Sequence, residues 1–163
     1  MKKLLLQIFK ELDGEIELMN SERLKADLPA LPHFEIKLLG QLGLFADDSL
    51  PNDIILSATR DFDALLKGDW SIIAALKNIL QRHGLVYDEL SSEIWMPPDT
   101  QYKPVYQSDY IKCESPKAIY TLVSKAIKAP EKNRSLIVDA LTVYGEELLT
   151  LISKHGGKPE HII

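Results

Sequence analysis

Between Asp69 and Gly84 the sequence allows one shape. Ile72, Ile73, Leu76, Ile79 and Leu80 fall on one face at helical spacing, with Asp69 where an N-cap belongs and Gly84 where a helix stops. A helix with a single apolar face must bury that face against another element. On both sides of it the pattern changes to short runs rich in β-branched and apolar residues, the signature of extended chain. A helix set between strands restricts the fold to an α/β or α+β domain, with a small mixed sheet flanked by helices.

The remaining segments fit that class. Leu4, Leu5, Ile8, Phe9 and Leu12 predict an amphipathic helix over 2–12, ended near Gly14. A short helix starts at Ser21 and is stopped by Pro29 and Pro32. FEIKLL alternates like a strand, and GQLGLF suits a helix or a loop; the order adopted is strand, turn, short helix. DIILSATRDFDALL predicts a strand from about Asp53, bounded by Pro51 and Gly68. LVYDEL and SEIWMP predict two short strands, PPDT a turn, and KPVYQSDYIKC a hairpin-like pair. From Ser115 the pattern is helical, with Pro116 at the first helical position and Pro130 as a break. A last helix spans 131–154, and GGKPEHII is a loose tail. The organisation expected is one domain over 1–155, made of an N-terminal helical segment (1–32), a sheet core (33–114) and C-terminal helices (115–155), followed by the tail (156–163).

Composition narrows the function. The chain has 163 residues, 45% of them hydrophobic, enough for one well-packed core. A net charge of −5 argues against bulk DNA binding, which needs a positive surface to release counterions. MKKLLLQIFKEL opens like a signal peptide, but Gln7, Lys10 and Glu11 leave its apolar stretch too short. No run reaches the roughly 18 apolar residues of a spanning helix. These features predict a cytoplasmic protein with no membrane partner. Cys113 is the single cysteine, which excludes an internal disulfide and a cysteine-rich zinc site, and no two histidines stand at i,i+4. Cys113 reads as a small core residue, His83 as a partner for a helix C-terminus, and Trp95 with its neighbouring tyrosines as packing.

SATRDFDALL carries the chemistry. In extended chain Asp61 and Asp63 point to one side, with Cα atoms roughly 6.6 Å apart. Two carboxylates so placed converge on one hard cation, Mg2+ or Mn2+, which keeps several waters and completes its shell with phosphate oxygens. The same spacing also describes a solvated strand end that discourages edge pairing.

Thr59, Asp61 and Asp63 in ATRDFDAL resemble the metal-binding strand of the nucleotidyltransferase superfamily with the polymerase-β-type fold, in particular its minimal, abortive-infection-related branch in bacteria. SPKAIYTLVSKAIKAPEKNRSLIVDAL, residues 115–141, is similar to that branch's C-terminal segment, with Lys125, Arg134 and Asp139 at the places where a Lys, an Arg and an Asp recur. The resemblance covers about residues 34–141. It implies transfer of a nucleoside monophosphate from a nucleoside triphosphate to a protein or RNA acceptor. Asp61 and Asp63 would hold Mg2+, with Thr59, Lys125 and Arg134 on the nucleotide side. It also implies a third carboxylate on a neighbouring strand, for which Glu93 and Glu114 are both candidates. One departure stands out: the family opens its site with Gly-Gly or Gly-Ser, and this chain has Gly40-Gln41. That turn favours an alternative, a catalytically lapsed protein of the same fold acting as a binding partner or toxin–antitoxin component.

Overall fold

The helical period after Asp69 is realised as α3, Trp70–Arg82, with Ile72, Leu76, Ile79 and Leu80 buried. The Asp69 carboxylate accepts from the Ser71 N–H at 2.9 Å and from its hydroxyl at 2.6 Å. At the other end His83 closes the helix and Gly84 turns away with φ +76°. The computed structural model describes residues 1–51, 54, 56 and 58–161. Among them no helix is long and apolar enough to cross a membrane.

α3 lies against α1, Lys2–Lys25, running the opposite way. Glu11 of α1 meets Arg82 at 3.8 Å and His83, while Arg23 near the end of α1 acts on Asp69 at the start of α3. α1 corrects the expectation of two helices separated near Gly14. Leu5, Ile8, Phe9, Leu12 and Ile16 form one buried stripe across that glycine. Burying the stripe outweighs the roughly 1 kcal/mol that a mid-helix glycine costs, so Ser21 lies inside the same helix.

Both helices cover one face of a four-stranded sheet of order β3-β1-β6-β5. β1 (Phe34–Leu38) pairs antiparallel with β3 (Ala64–Lys67) and parallel with β6 (Ile111–Pro116), and β6 pairs antiparallel with β5 (Tyr102–Gln107). The period of two sorts its side chains: Phe34, Ile36, Leu38, Ile111 and Cys113 face the helices, and Glu35, Lys37, Lys112 and Glu114 face outward. The hairpin is formed as expected. Pro116, expected to open a helix, instead ends β6.

The strand expected from Asp53 is the main correction. Residues 52, 53, 55 and 57 lie outside those described, and residues 58–60 are not in a strand. Extended pairing begins only at β2, Asp61–Phe62, which joins β4, Val86–Tyr87, in a separate two-stranded parallel sheet. The chain then passes into β3, an edge strand of the main sheet. SEIWMP is also not a strand: Ser91–Glu93 form a 3-10 turn, in which the buried Ser91 hydroxyl accepts from the Ala64 N–H at 3.1 Å.

A second apolar cluster joins α2 (Gly40–Ala46) to three C-terminal helices, α4 (Ala118–Lys128), α5 (Arg134–Tyr144) and α6 (Glu146–Lys154). Leu122, Val123, Ile137, Leu148 and Ile152 are its centre. The single helix expected over 131–154 is thus two, because Gly145 takes φ +53° and ψ −130°. The expected loose tail begins packed. A Cβ on Gly157 would lie 2.6 Å from Ile152 and 2.8 Å from Ile127, and Pro159–His161 form a further 3-10 turn.

Candidate functional site

The short parallel sheet brings two acids together. Phe62 of β2 pairs with Tyr87 of β4, and the next residue of each strand is an aspartate, Asp63 and Asp88. The Asp88 N–H donates to the Phe62 carbonyl at 3.0 Å, which fixes that register. The two carboxyls stand close enough for Asp88 to act directly on Asp63. Asp63 is half-buried, and its carboxyl is pushed up to about 6 by burial first, then by the Asp88 carboxylate and the charge of Asp61, with Lys125 pulling the other way. Asp61 and Asp63 flank the fully buried Phe62, so they share the side opposite to it, as the spacing predicts.

Gly40 explains itself in this setting. The Leu39 N–H donates to the Asp63 carbonyl at 2.9 Å, and Gly40 follows with φ +55°. A Cβ there would lie 2.6 Å from Asp63 Oδ2, so the carboxylate occupies the space a side chain would need. Gln41 comes next, partly buried in the first turn of α2. Thr59 bonds to the backbone of Asp61. Its hydroxyl accepts from the Asp61 N–H at 3.2 Å and so shapes the turn into β2.

Asp63 and Gly40 open into a cleft of about 440 Å³, whose opposite wall is α4 and the turn after it. Lys125, Lys128 and Lys132 line that wall, and Glu93 and Trp95 form the rim. The first two project from one face of α4, being three residues apart. Burial pulls the Lys125 ammonium below its ordinary value, the charge of Lys132 adds to that, and Asp63 opposes it. Among the described residues none of the three lysines forms an ion pair. A second depression, about 430 Å³, lies on the outer face of the sheet. Four of its five charges are paired, Lys67 with Glu35 at 3.7 Å and Lys112 with Glu114 at 3.1 Å, while Lys37 stands over the Tyr102 ring at 4.8 Å, and it lacks the crowding of acids.

Of the residues singled out in the sequence, Asp61, Asp63, Gly40 and Lys125 are brought together. Glu93 reaches the rim of the same cleft from the 3-10 turn, and Glu114 belongs to the outer sheet face. Arg134 is exposed on the first turn of α5, where Asn133 lines the cleft in its place, and Asp139 lies further along α5. The acid beside Asp63 is Asp88, which the sequence reading passed over. Its signal was present in LVYDEL: an acid directly after a short strand, matching the acid directly after Phe62.

Among the described residues no group of three His, Cys, Asp or Glu is arranged to hold a metal ion. The chain offers instead the Asp63–Asp88 pair, and two carboxylates suit a cation such as Mg2+, which takes one or two and keeps its waters. Such a cation would relieve the repulsion between the two carboxylates when both are charged. No family model, no curated protein and no solved structure matches this chain.

Proposed function

We propose that this protein is a metal-dependent nucleotidyltransferase, moving a nucleoside monophosphate from a nucleoside triphosphate to a hydroxyl of a protein or RNA acceptor. One observation carries the reading: a single cleft sets Asp63, crowded from behind by Asp88 and Asp61, against a wall of lysines that form no ion pair among the described residues. Carboxylates alone suit a cation and lysines alone suit an anion. Facing each other across one cleft, they suit an anion that brings a cation with it, as a nucleoside triphosphate does.

The roles divide along the walls. Asp63 and Asp88 hold Mg2+ or Mn2+, which when bound supplies positive charge to the reacting phosphate oxygens. Lys125, half-buried, neutralises phosphate oxygens where little water competes, and Lys132 adds charge nearer the mouth. Asp61, exposed beside the pair, is placed to take the proton of an acceptor hydroxyl. The acceptor oxygen then bonds to the α-phosphorus, and pyrophosphate leaves with the electron pair of the broken bond.

The test uses ATP labelled at the α-phosphate, with Mg2+ and a lysate that supplies protein and RNA. The expected outcome is label that becomes acid-precipitable and is removed by protease or by ribonuclease, according to the acceptor. Asp63→Asn combined with Asp88→Asn should abolish it. Cation binding without any transfer would instead support the lapsed binding protein, the reading that Gln41 beside Gly40 favours.

A further inference from the structure

The lining of the cleft combines two chemistries. Asp63 and Lys125 act on each other, while Ile94, Trp95 and Met96 add apolar surface beside Ser124 and Lys128. Trp95 is held from two directions. Its carbonyl accepts from the Ser124 hydroxyl of α4 at 2.5 Å, and its ring meets His155 edge-on, with centroids 6.2 Å apart at 69°. His155 is nearly buried, its Nε2 2.9 Å from Asp99 Oδ1 without hydrogen-bond geometry. The indole is therefore oriented by the segment it belongs to and by the end of α6. It is only partly buried, and the Lys128 ammonium stands over its ring at 5.2 Å.

Lys128 is exposed and, among the described residues, forms no ion pair, so little else holds it there. An exposed ammonium over an indole changes an equilibrium constant by about two- to fivefold, whereas a base stacked on an aromatic ring changes it by about five- to a hundredfold. A flat heterocycle therefore displaces the lysine from the ring. The displaced ammonium lies one helical turn from Lys125, on the phosphate side of the same wall.

We infer that Trp95 is the stacking platform for the ligand's heterocycle, and that Lys128 exchanges the indole for the phosphates when the ligand binds. This rests on the cleft being the triphosphate site, and it adds a claim about specificity: the cleft selects nucleotides over bare polyphosphate. Every base has a π-face, so the platform favours nucleotides as a class more than one base.

Calorimetric titration of the full chain with magnesium ATP and with magnesium tripolyphosphate tests it. The expected result is that ATP binds at least about tenfold tighter. Trp95→Leu, which keeps apolar bulk without a π-face, should bring ATP down to the tripolyphosphate affinity and leave tripolyphosphate unchanged. Trp95→Phe should retain most of the preference. Equal affinity of the natural chain for both probes would overturn the inference while leaving the triphosphate site standing. Loss of both probes in proportion in Trp95→Leu would overturn it as well, since that marks a structural role. Binding of neither probe by the natural chain would overturn the site and the inference together.

Discussion

Asp47 and Asp63 are both drawn out of water beside the start of a helix, and their carboxyls move in opposite directions. At Asp47, buried to 5% exposure, burial pulls upward, but Lys103, the Ser49 hydroxyl and the N–H groups of Ala118 and Ser49 outweigh it, so the carboxyl lies below its usual range. Ala118 donates at 2.7 Å, so this acid ties the loop after α2 to the first turn of α4. At Asp63 burial pulls upward as well, and the neighbours add to it, because they are Asp88 and Asp61. One acid is surrounded by donors, and the other by two acids that Lys125 only partly offsets. That crowding is what the proposed cation site draws on.

The largest effect should come from the satisfied acid. Asp47→Ala leaves the Ala118 N–H without its acceptor and Lys103 without its carboxylate, and should cost about 2 to 4 kcal/mol in urea unfolding at neutral pH. Its pH dependence has a definite sign. The folded carboxyl lies below the unfolded value, so its contribution is present above that value and is lost as pH falls through the folded one. The penalty of the substitution should therefore shrink in acid.

Asp63→Asn should do the reverse. A carboxyl raised from 3.8 to about 6 weakens the fold above pH 6, and this loss disappears as pH falls below the unfolded value. Fully shielded, that shift would be about 3 kcal/mol; for a half-exposed group screened by solvent it is on the order of 1 to 2. The variant should be more stable than the natural chain by that amount near pH 7.5, and the gain should fade towards pH 4. A loss of stability at pH 7.5 would break the comparison.

Gly40→Ala gives a smaller effect, about 1 to 2 kcal/mol of destabilisation, part from the positive φ and part from the contact with Asp63 Oδ2. Placed in an Asp63→Ala background, the same change should cost less, because the contact is gone and only the backbone part remains. A double-mutant cycle by thermal melts measures the difference.

These contrasts also show what the sequence makes legible. α3 could be read because its period, its cap and its glycine stop agree, and the β5–β6 hairpin because its turn and alternation agree. α1 could not, because Gly14 is a local signal and the buried stripe that overrides it depends on α3 and the sheet. The break at Gly145 was visible as a residue but not as a conformation, since a glycine inside a helical pattern has several readings. In the candidate site, the spacing of Asp61 and Asp63 puts them on one side, and α4 carries Lys125 into the same cleft. For Asp88 the sequence offers only an acid after a short strand in LVYDEL; its pairing with Asp63 depends on two-residue strands meeting in parallel across more than twenty residues of chain, and strands so short carry almost no periodicity.

The central claim is that Asp63 and Asp88 stand together to hold a hard cation, and a thermal melt in Mg2+ tests it most directly. A ligand at a hundred times its dissociation constant stabilises the protein that binds it by about 2.7 kcal/mol. The account predicts that Mg2+ or Mn2+ raises the melting temperature of the natural chain at neutral pH, and raises it less near pH 5, where Asp63 keeps its proton. It predicts no cation response in Asp63→Asn with Asp88→Asn, whose cation-free melt should lie at or above that of the natural chain. No response in the natural chain, or an equal response in the double variant, would contradict it.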